Sequence, residues 1–186
     1  SSVKLSSSLW ADKPAQSAKN LRGVTVNHLR KLLGDMDGIE IEFAGNRWWV
    51  CWRDGFTCDL FRARELAERI LACQQTDFTA ASELIGIMKR GTLLPAFVRY
   101  EWFEGIKIDY DDYFIRVIER LLPEFYESRR FAETIRLSDI LFSIDSLSET
   151  ALRYKVDSLL KTGRAELAHA VRARFVQERE ALYGRQ

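Results

Sequence analysis

Residues 17–35 hold the side chains best suited to contact nucleic acid. The segment reads SAKNLRGVTVNHLRKLLGD and contains four cations but no acid before Asp35. Guanidinium and ammonium groups pair with phosphates, and Arg and Asn can each form two hydrogen bonds to a base edge. The whole chain has a formal net charge of only +1. This local excess of positive charge therefore indicates a DNA-contacting surface rather than a generally basic protein.

Helical spacing would place most of these polar groups on one ridge, because residues three and four apart share a helix face. That face reads Lys19, Arg22, Gly23, Val26, Asn27 and Arg30. An apolar stripe on the other side is expected to pack on a neighbouring element. Its members are Leu21, His28, Leu29 and Leu32. We predict groove contacts by Lys19, Arg22, Asn27 and Arg30, and phosphate contacts by Ser17, Asn20 and Lys31.

Gly23 would lie in the middle of this helix, where glycine costs about 1 kcal/mol relative to alanine. Close approach of a DNA backbone or of a packed helix would explain it. We expect Ser17 to be the N-cap of the helix and Gly34 to follow its end. The alternative interpretation of the cationic ridge is a charged face that only meets solvent.

The surrounding elements are those of a winged helix. A first helix is predicted in VKLSSSLWAD (3–12), and Pro14 ends it. After the cationic helix, alternating GIEIEF and aromatic WWVCW predict a β-hairpin with its tip at Gly45–Asn46. In a winged helix the second helix of the pair enters the major groove. Arg47 at the tip would then contact a phosphate or the minor groove.

From Asp59 onward the sequence predicts an all-α domain. The predicted helices span 59–73, 77–90, 98–107, 109–127, 130–143, 147–161 and 164–182. Ser146 and Glu149 are expected to form a capping box, and Gly163 to end that helix. We therefore predict two domains: a partial winged helix over residues 1–53 and a helical domain over residues 56–186.

An internal repeat supports a helical-hairpin array. A shift of 34 residues aligns FYESRRFAETIRLSDIL (125–141) with LLKTGRAELAHAVRARF (159–175). The shift places Arg130 on Arg164 and Leu141 on Phe175. Because 34 residues is the period of tetratricopeptide hairpins, we predict a tetratricopeptide-like architecture.

The chain also resembles bacterial activators related to the Streptomyces antibiotic regulatory proteins. LSSSLWADKPAQSAKNLRGVTVNHLRKLLG is similar to the second and third helices of their winged helix. RGTLLPAF (90–97), SIDSLSETALRYKVDSLLKTGRAELAHA (143–170) and EREALYG (178–184) resemble motifs of the bacterial transcriptional activation domain that follows it. The resemblance implies a cytoplasmic transcriptional regulator that binds double-stranded DNA. It also implies that the helical domain mediates self-association and contacts with regulators or the transcription machinery.

The sequence departs from the family pattern at its start. The family's winged helix opens with a small β-sheet and a first helix, and neither precedes Ser1. We therefore expect this chain to be the C-terminal part of a longer regulator. We also expect an uncovered apolar surface at Leu5, Leu9 and Leu29. NRWWV (46–50) replaces the more usual Gly-Tyr-containing strand of the wing.

The sequence offers little support for catalysis. It contains no nucleophile elbow, Walker loop or HExxH motif, so we expect neither an enzyme nor a cofactor. Three cysteines without a CxxC pair and two histidines make a metal site improbable. DYDD (109–112) is interpreted as acids at a helix start. No apolar run is long enough to insert into a membrane.

Aromatic residues are concentrated in FVRYEWFEGIKIDYDDYF (97–114). Most of these rings are expected to fill the seam between the first two helix pairs. Alternatively, Trp102 and Tyr110 would bind a partner in a concave helical groove. This leaves two other functions open: a protein-interaction module with the winged helix as scaffold, and a small-molecule sensor with an apolar pocket near Trp102.

Overall fold

A computed structural model describes residues 1–36, 38–53, 55–94 and 101–184, apart from the side chains of residues 101 and 102. These residues form eight helices and one two-stranded hairpin, which confirms the predicted mainly helical fold. The chain divides into two compact units, Ser1–Cys58 and Asp59–Gln186. None of the helices in the described ranges has the length and apolar content needed to cross a membrane.

The first unit contains two helices followed by the hairpin. Helix α1 spans Ser2–Leu9, and the longer helix α2 spans Ala15–Leu33. Helix α2 begins two residues before Ser17, and Pro14 occupies the N-cap position without a side-chain hydrogen bond. The prediction of Ser17 as the N-cap is therefore wrong. Proline suits this boundary because its missing N–H would have no partner within the helix.

The hairpin pairs strand β1 (Ile39–Ala44) with strand β2 (Arg47–Trp52) in antiparallel register. Gly45 and Asn46 connect the strands with positive φ angles of 58° and 60°. Two consecutive positive φ values are typical of the tight turns that match the twist of a hairpin. The predicted tip is confirmed.

The second unit contains the other six helices. Their bounds are Asp59–Ala72 for α3, Phe78–Met88 for α4, Glu101–Glu127 for α5, Phe131–Ile144 for α6, Glu149–Lys161 for α7 and Ala165–Tyr183 for α8. Consecutive helices pack together, α3 on α4, α5 on α6, α6 on α7, and α7 on α8. Buried side chains from α3 to α7 form one continuous core, with Phe114, Leu121 and Phe125 of α5 near its middle.

Helix α5 corrects two predictions. Two helices were expected in this region, at 98–107 and 109–127, but one helix runs from Glu101 to Glu127. Residues 95–100 lie outside the described part of the chain. DYDD (109–112) lies inside α5, beyond its first turn. The helix macrodipole, which acts on the first turn, therefore does not explain this acidic run.

The predicted bounds of α7 are correct at its C-terminal end only. Ser148, not Ser146, is the N-cap, and its Oγ accepts a hydrogen bond from the Ala151 N–H at 3.2 Å. The predicted capping box is therefore wrong, because Glu149 is the first residue of the helix. Gly163 follows the C-cap residue Thr162 with a φ of 74°. This is the left-handed conformation expected of a glycine after a helix end.

The turn after α5 is repeated 34 residues later, after α7. Arg129 and Gly163 both have positive φ, at 58° and 74°. The next N–H groups, of Arg130 and Arg164, donate to the carbonyls of Phe125 and Leu159 at 2.9 and 2.8 Å. The same turn in equivalent positions supports the predicted 34-residue helical-hairpin repeat.

Candidate nucleic-acid interface

Helix α2 carries most of the predicted DNA-contacting residues and contains no acidic side chain. Arg30 and Lys31 lie in its last turn, where cations interact favourably with the negative end of the helix dipole. Gly34 ends the helix in a right-handed conformation, with a φ of −62°. The prediction that Gly34 follows the end of the helix is confirmed, since the last residue of α2 is Leu33.

The buried side of α2 differs from the predicted apolar stripe. The side that packs on α1 and the hairpin contains Ala18, Arg22, Val26 and Leu33, spaced by four, four and seven residues. Ala18 and Val26 are buried, while Arg22 and Leu33 are partly buried. The predicted stripe is wrong, because its four members are all exposed: Leu21, His28, Leu29 and Leu32.

Arg22 lies against α1 instead of pointing away from the protein. Its Nη1 donates to the carbonyl oxygen of Ser2 at 2.8 Å and to the Oγ of Ser6 at 2.9 Å. Arg30, eight residues further along α2, is held in a similar way by the hairpin. Its Nε and Nη2 donate to the carbonyl oxygen of Ile41 at 3.0 and 2.8 Å. Both guanidinium groups therefore already have acceptors within this unit.

A set of four polar residues and one valine lies on the outer side of α2. Its members follow a spacing of three, four, three and four residues: Ser17, Asn20, Val24, Asn27 and Lys31. All five are exposed, and we call them the outer stripe. Asn20 accepts a hydrogen bond through Oδ1 from Gln16 Nε2 at 3.3 Å. The outer stripe thus presents amide, hydroxyl and ammonium groups to anything that approaches α2.

Lys19 and Gly23 lie beside the outer stripe, and Lys19 is exposed. Among the described residues, a Cβ atom added to Gly23 would meet no atom within 4 Å apart from its chain neighbours and the adjacent backbone of α2 itself. Packing within the chain therefore does not require glycine at this position. Among the described residues, no other helix of this chain comes close to Gly23. Approach by a binding partner is one explanation that is left for the glycine, and a helix that does not need full stability is the other.

The hairpin tip presents an additional cation. Arg47 is the first residue of β2, directly after the Gly45–Asn46 turn, and its side chain is exposed. On the hairpin face that carries Trp48, the Arg30 guanidinium lies 5.5 Å from the centre of the indole ring. Phe43 packs on the same indole, with ring centres 4.7 Å apart.

An apolar surface remains uncovered in the first unit, which confirms the expectation for two of its three leucines. Leu9 and Leu29 are exposed, whereas Leu5 is partly buried. Leu32 is 73% exposed, and Phe43 of the hairpin is 51% exposed. The first unit therefore buries little apolar surface of its own.

The predicted partner-binding residues belong to the second unit. The side chain of Trp102 lies outside the described residues. Tyr110 is partly buried, and its ring centre lies 4.4 Å from that of Phe114. Burial raises the pKa of Tyr110 above its usual value. Tyr110 also lines a groove of about 560 Å³ between α3 and α5, whose walls include Phe61 and Ile106.

Within the described ranges, no cluster of three or more His, Cys, Asp or Glu side chains is arranged to hold a metal ion. His28 and His169 are both exposed, so the expectation that His28 faces the helix core is wrong. Cys51, Cys58 and Cys73 are free thiols, and burial raises the pKa of Cys51.

Comparison with known proteins finds no family model that matches the chain and no curated protein with significant sequence similarity. The function therefore has to be argued from the site.

Sequence reasoning did not place Val24 in the outer stripe or His28 next to it. The spacing of three and four residues that starts at Ser17 includes Val24, but the leucines suggested that α2 exposes its opposite side.

Proposed function

We propose that this chain is the DNA-binding and regulatory part of a transcriptional regulator. The outer stripe of α2 reads the major groove, and the hairpin forms a wing beside it. The helical unit mediates regulation or self-association. One observation carries the proposal: an acid-free helix with an exposed polar outer stripe is followed by a hairpin that exposes a cation at its tip.

The chemistry of the outer stripe suits a DNA groove. An α-helix fits the major groove of B-DNA, and the amide of Asn can form two hydrogen bonds with adenine. Asn20 and Asn27 are therefore the candidates for base contacts. Ser17 and Lys31, at the two ends of the outer stripe, are suited to phosphates, as is Lys19 beside it.

The contacts of Arg22 and Arg30 favour structural roles for both residues. Each would have to break hydrogen bonds to α1 or to the hairpin before it reached a base or a phosphate. The proposal therefore gives the groove contacts chiefly to the outer stripe. This is the main change from the assignment made on sequence alone.

Two further arguments support the regulator. The order helix, turn, helix, hairpin is that of winged-helix DNA-binding domains. The short motifs named in the sequence analysis also resemble those of the Streptomyces antibiotic regulatory proteins and their relatives, although no family model matches the chain. A regulator of this kind would act in the cytoplasm, without a catalytic site, a metal or a cofactor.

The test is duplex-DNA binding at several salt concentrations, measured by fluorescence anisotropy with a labelled duplex pool of randomised sequence and with duplexes selected from that pool for tight binding. We expect Asn27→Ala to weaken binding to the preferred sequences, by about 1–3 kcal/mol. Lys31→Ala is expected to weaken binding to all sequences and to reduce the slope of log K against log salt by about 0.9.

Lys161→Ala is the matched control, because Lys161 is an exposed lysine at the end of α7. Its affinity and salt slope should equal those of the unaltered protein. Binding that is absent, or that is unchanged by both α2 substitutions, would contradict the proposal.

The groove between α3 and α5 favours a second candidate function, protein interaction through the helical unit. Phe61 and Ile106 in its walls are 50% and 52% exposed, so the groove presents apolar surface of the kind found at interaction sites. If the groove mediates self-association, Ile106→Asp should shift the protein to monomers in analytical ultracentrifugation. Ile108→Asp, on an equally exposed residue outside the groove walls, is the control.

A further inference from the structure

Arg30 joins α2 to the outer edge of the hairpin through two hydrogen bonds. Both Nε and Nη2 donate to one acceptor, the carbonyl oxygen of Ile41, at 3.0 and 2.8 Å. The flat guanidinium also lies 5.5 Å from the centre of the Trp48 ring. A lysine cannot reproduce this arrangement, because its ammonium is neither planar nor forked.

The register of the hairpin explains why the Ile41 carbonyl is available. The carbonyl of Gly38 accepts from the Arg53 N–H at 2.8 Å, which makes these two residues a hydrogen-bonded pair. In an antiparallel ladder such pairs alternate, so Ile41, three residues further on, points its carbonyl away from β2. Within the described part of the chain, no third strand pairs with this outer edge, since the sheet has two strands. Arg30 therefore satisfies an edge carbonyl that would otherwise need water.

Apolar packing between α2 and the hairpin is incomplete, because Ile39, Ile41 and Trp48 of the hairpin are only partly buried. Phe43 and Val50, on the hairpin face that carries Trp48, are 51% and 50% exposed. On α2, Val26 is the buried apolar side chain nearest to Arg30. Because apolar contacts are non-directional, the directional contact of Arg30 has a large share in setting the angle of the hairpin.

A small change in that angle has a large effect at the tip. Asn46 lies five residues beyond Ile41, or about 17 Å at roughly 3.4 Å per residue. A tilt of about 10° at Ile41 would therefore move the tip by about 3 Å, which is the length of a hydrogen bond.

We propose that Arg30 is a positioning residue that holds the hairpin so that Arg47 reaches the DNA while the outer stripe of α2 occupies the groove. This inference rests on the proposed DNA-binding function. It assigns to Arg30 an indirect role, through Arg47, in place of the direct groove contact that its sequence position suggests.

The test is a double-mutant cycle on the full chain, with Arg30→Lys, Arg47→Ala and the double variant. Binding to a labelled duplex pool of randomised sequence is measured as a function of salt. Arg47→Ala should reduce the salt slope by about 0.9, the value for one lost phosphate contact. Arg30→Lys keeps the charge, yet it should produce a similar reduction, and the double variant should show no further loss.

Two results would overturn the inference. Arg30→Lys with the affinity and slope of the unaltered protein would mean that charge at position 30 is sufficient. Losses in log K that add in the double variant would mean that Arg30 and Arg47 act independently. A purely structural defect would not move the salt slope in this coupled way.

A second measurement separates failure of this inference from failure of the proposed function. Hydrogen exchange of residues 39–52 without DNA should be faster in Arg30→Lys and unchanged in Lys31→Arg, the adjacent control. If the unaltered protein binds no DNA, the proposed function fails and the role through Arg47 fails with it. The exchange result would then still decide whether Arg30 holds the hairpin.

Discussion

The Nη1 of Arg22 lies 2.8 Å from the carbonyl oxygen of Ser2, so a cation on the predicted DNA-reading face of α2 in fact joins α2 to α1. A second hydrogen bond to the Oγ of Ser6, at 2.9 Å, completes the contact. Because α1 has just one buried residue, Ser2, this polar contact is a large part of what holds α1 in place.

Arg22→Ala is expected to destabilise the first unit by about 1–2 kcal/mol, since it removes hydrogen bonds to a charged group. Urea unfolding followed by tryptophan fluorescence measures this, because four of the five tryptophans, Trp10, Trp48, Trp49 and Trp52, lie in this unit. Lys19→Ala, at an exposed cation nearby, should leave stability unchanged. Normal stability together with reduced DNA affinity in Arg22→Ala would instead show that Arg22 contacts DNA.

Gly23→Ala is expected to stabilise α2 and weaken DNA binding. The stabilisation should be about 1 kcal/mol, because alanine is the better helix former and the added Cβ meets no protein atom within 4 Å. If DNA passes close to this part of α2, the methyl group would keep it away. Urea unfolding and anisotropy measure the two effects on the same protein.

Gly86→Ala in α4 is the control for that experiment, because a Cβ there also meets no atom within 4 Å. It should raise stability without changing DNA affinity. Unchanged affinity in Gly23→Ala would show that DNA does not need a glycine at this position.

The sequence predicted the elements of this fold better than their orientation. Turn residues such as Gly45–Asn46 and Gly163 act locally, through the φ angles they permit, and both were placed correctly. The orientation of α2 depends on which neighbours are present to cover it. The spacing of Leu21, Leu29 and Leu32 suggested an inner stripe, but the hairpin and α1 cover the side with Arg22 and Val26.

The chemistry of the candidate interface was likewise predicted better than the orientation of its side chains. Cations and amides on one helix indicated a nucleic-acid contact, and that chemical argument applies equally to the outer stripe. The sequence could not show that Arg22 and Arg30 have backbone acceptors at Ser2 and Ile41, since neither contact is local in the chain. Long-range hydrogen bonds of this kind have no periodic signal.

Asp111→Asn is expected to stabilise the second unit at neutral pH. Burial raises the pKa of the Asp111 carboxyl above its ordinary value of 3.8, and its Oδ1 is buried with no hydrogen-bond partner among the described residues. The folded state therefore holds the carboxyl proton of Asp111 more tightly than the unfolded state does. The free energy of unfolding falls as pH rises from the pKa of Asp111 in the unfolded state to its pKa in the folded state. Above the folded-state pKa, the full cost of burying the charged carboxylate is present.

The variant removes this penalty, so its melting temperature should exceed that of the unaltered protein at pH 7. The difference should disappear below about pH 3.8, where both states hold the proton. Asp112→Asn, at the exposed neighbouring carboxylate, is the control and should show a smaller difference. Equal melting temperatures for Asp111→Asn and the unaltered protein at pH 7 would contradict the expectation.

The repeated turn offers a matched pair of substitutions at Arg129 and Gly163. Both positions have positive φ, which costs an L-residue about 1–2 kcal/mol. Gly163→Ala should therefore destabilise the second unit by about 1 kcal/mol, although the new Cβ meets no atom within 4 Å. Arg129→Gly should stabilise the second unit, but by a smaller amount, because glycine also adds entropy to the unfolded chain. Chemical unfolding followed by far-UV circular dichroism measures both, and two changes of the same sign would show that the turns are not equivalent.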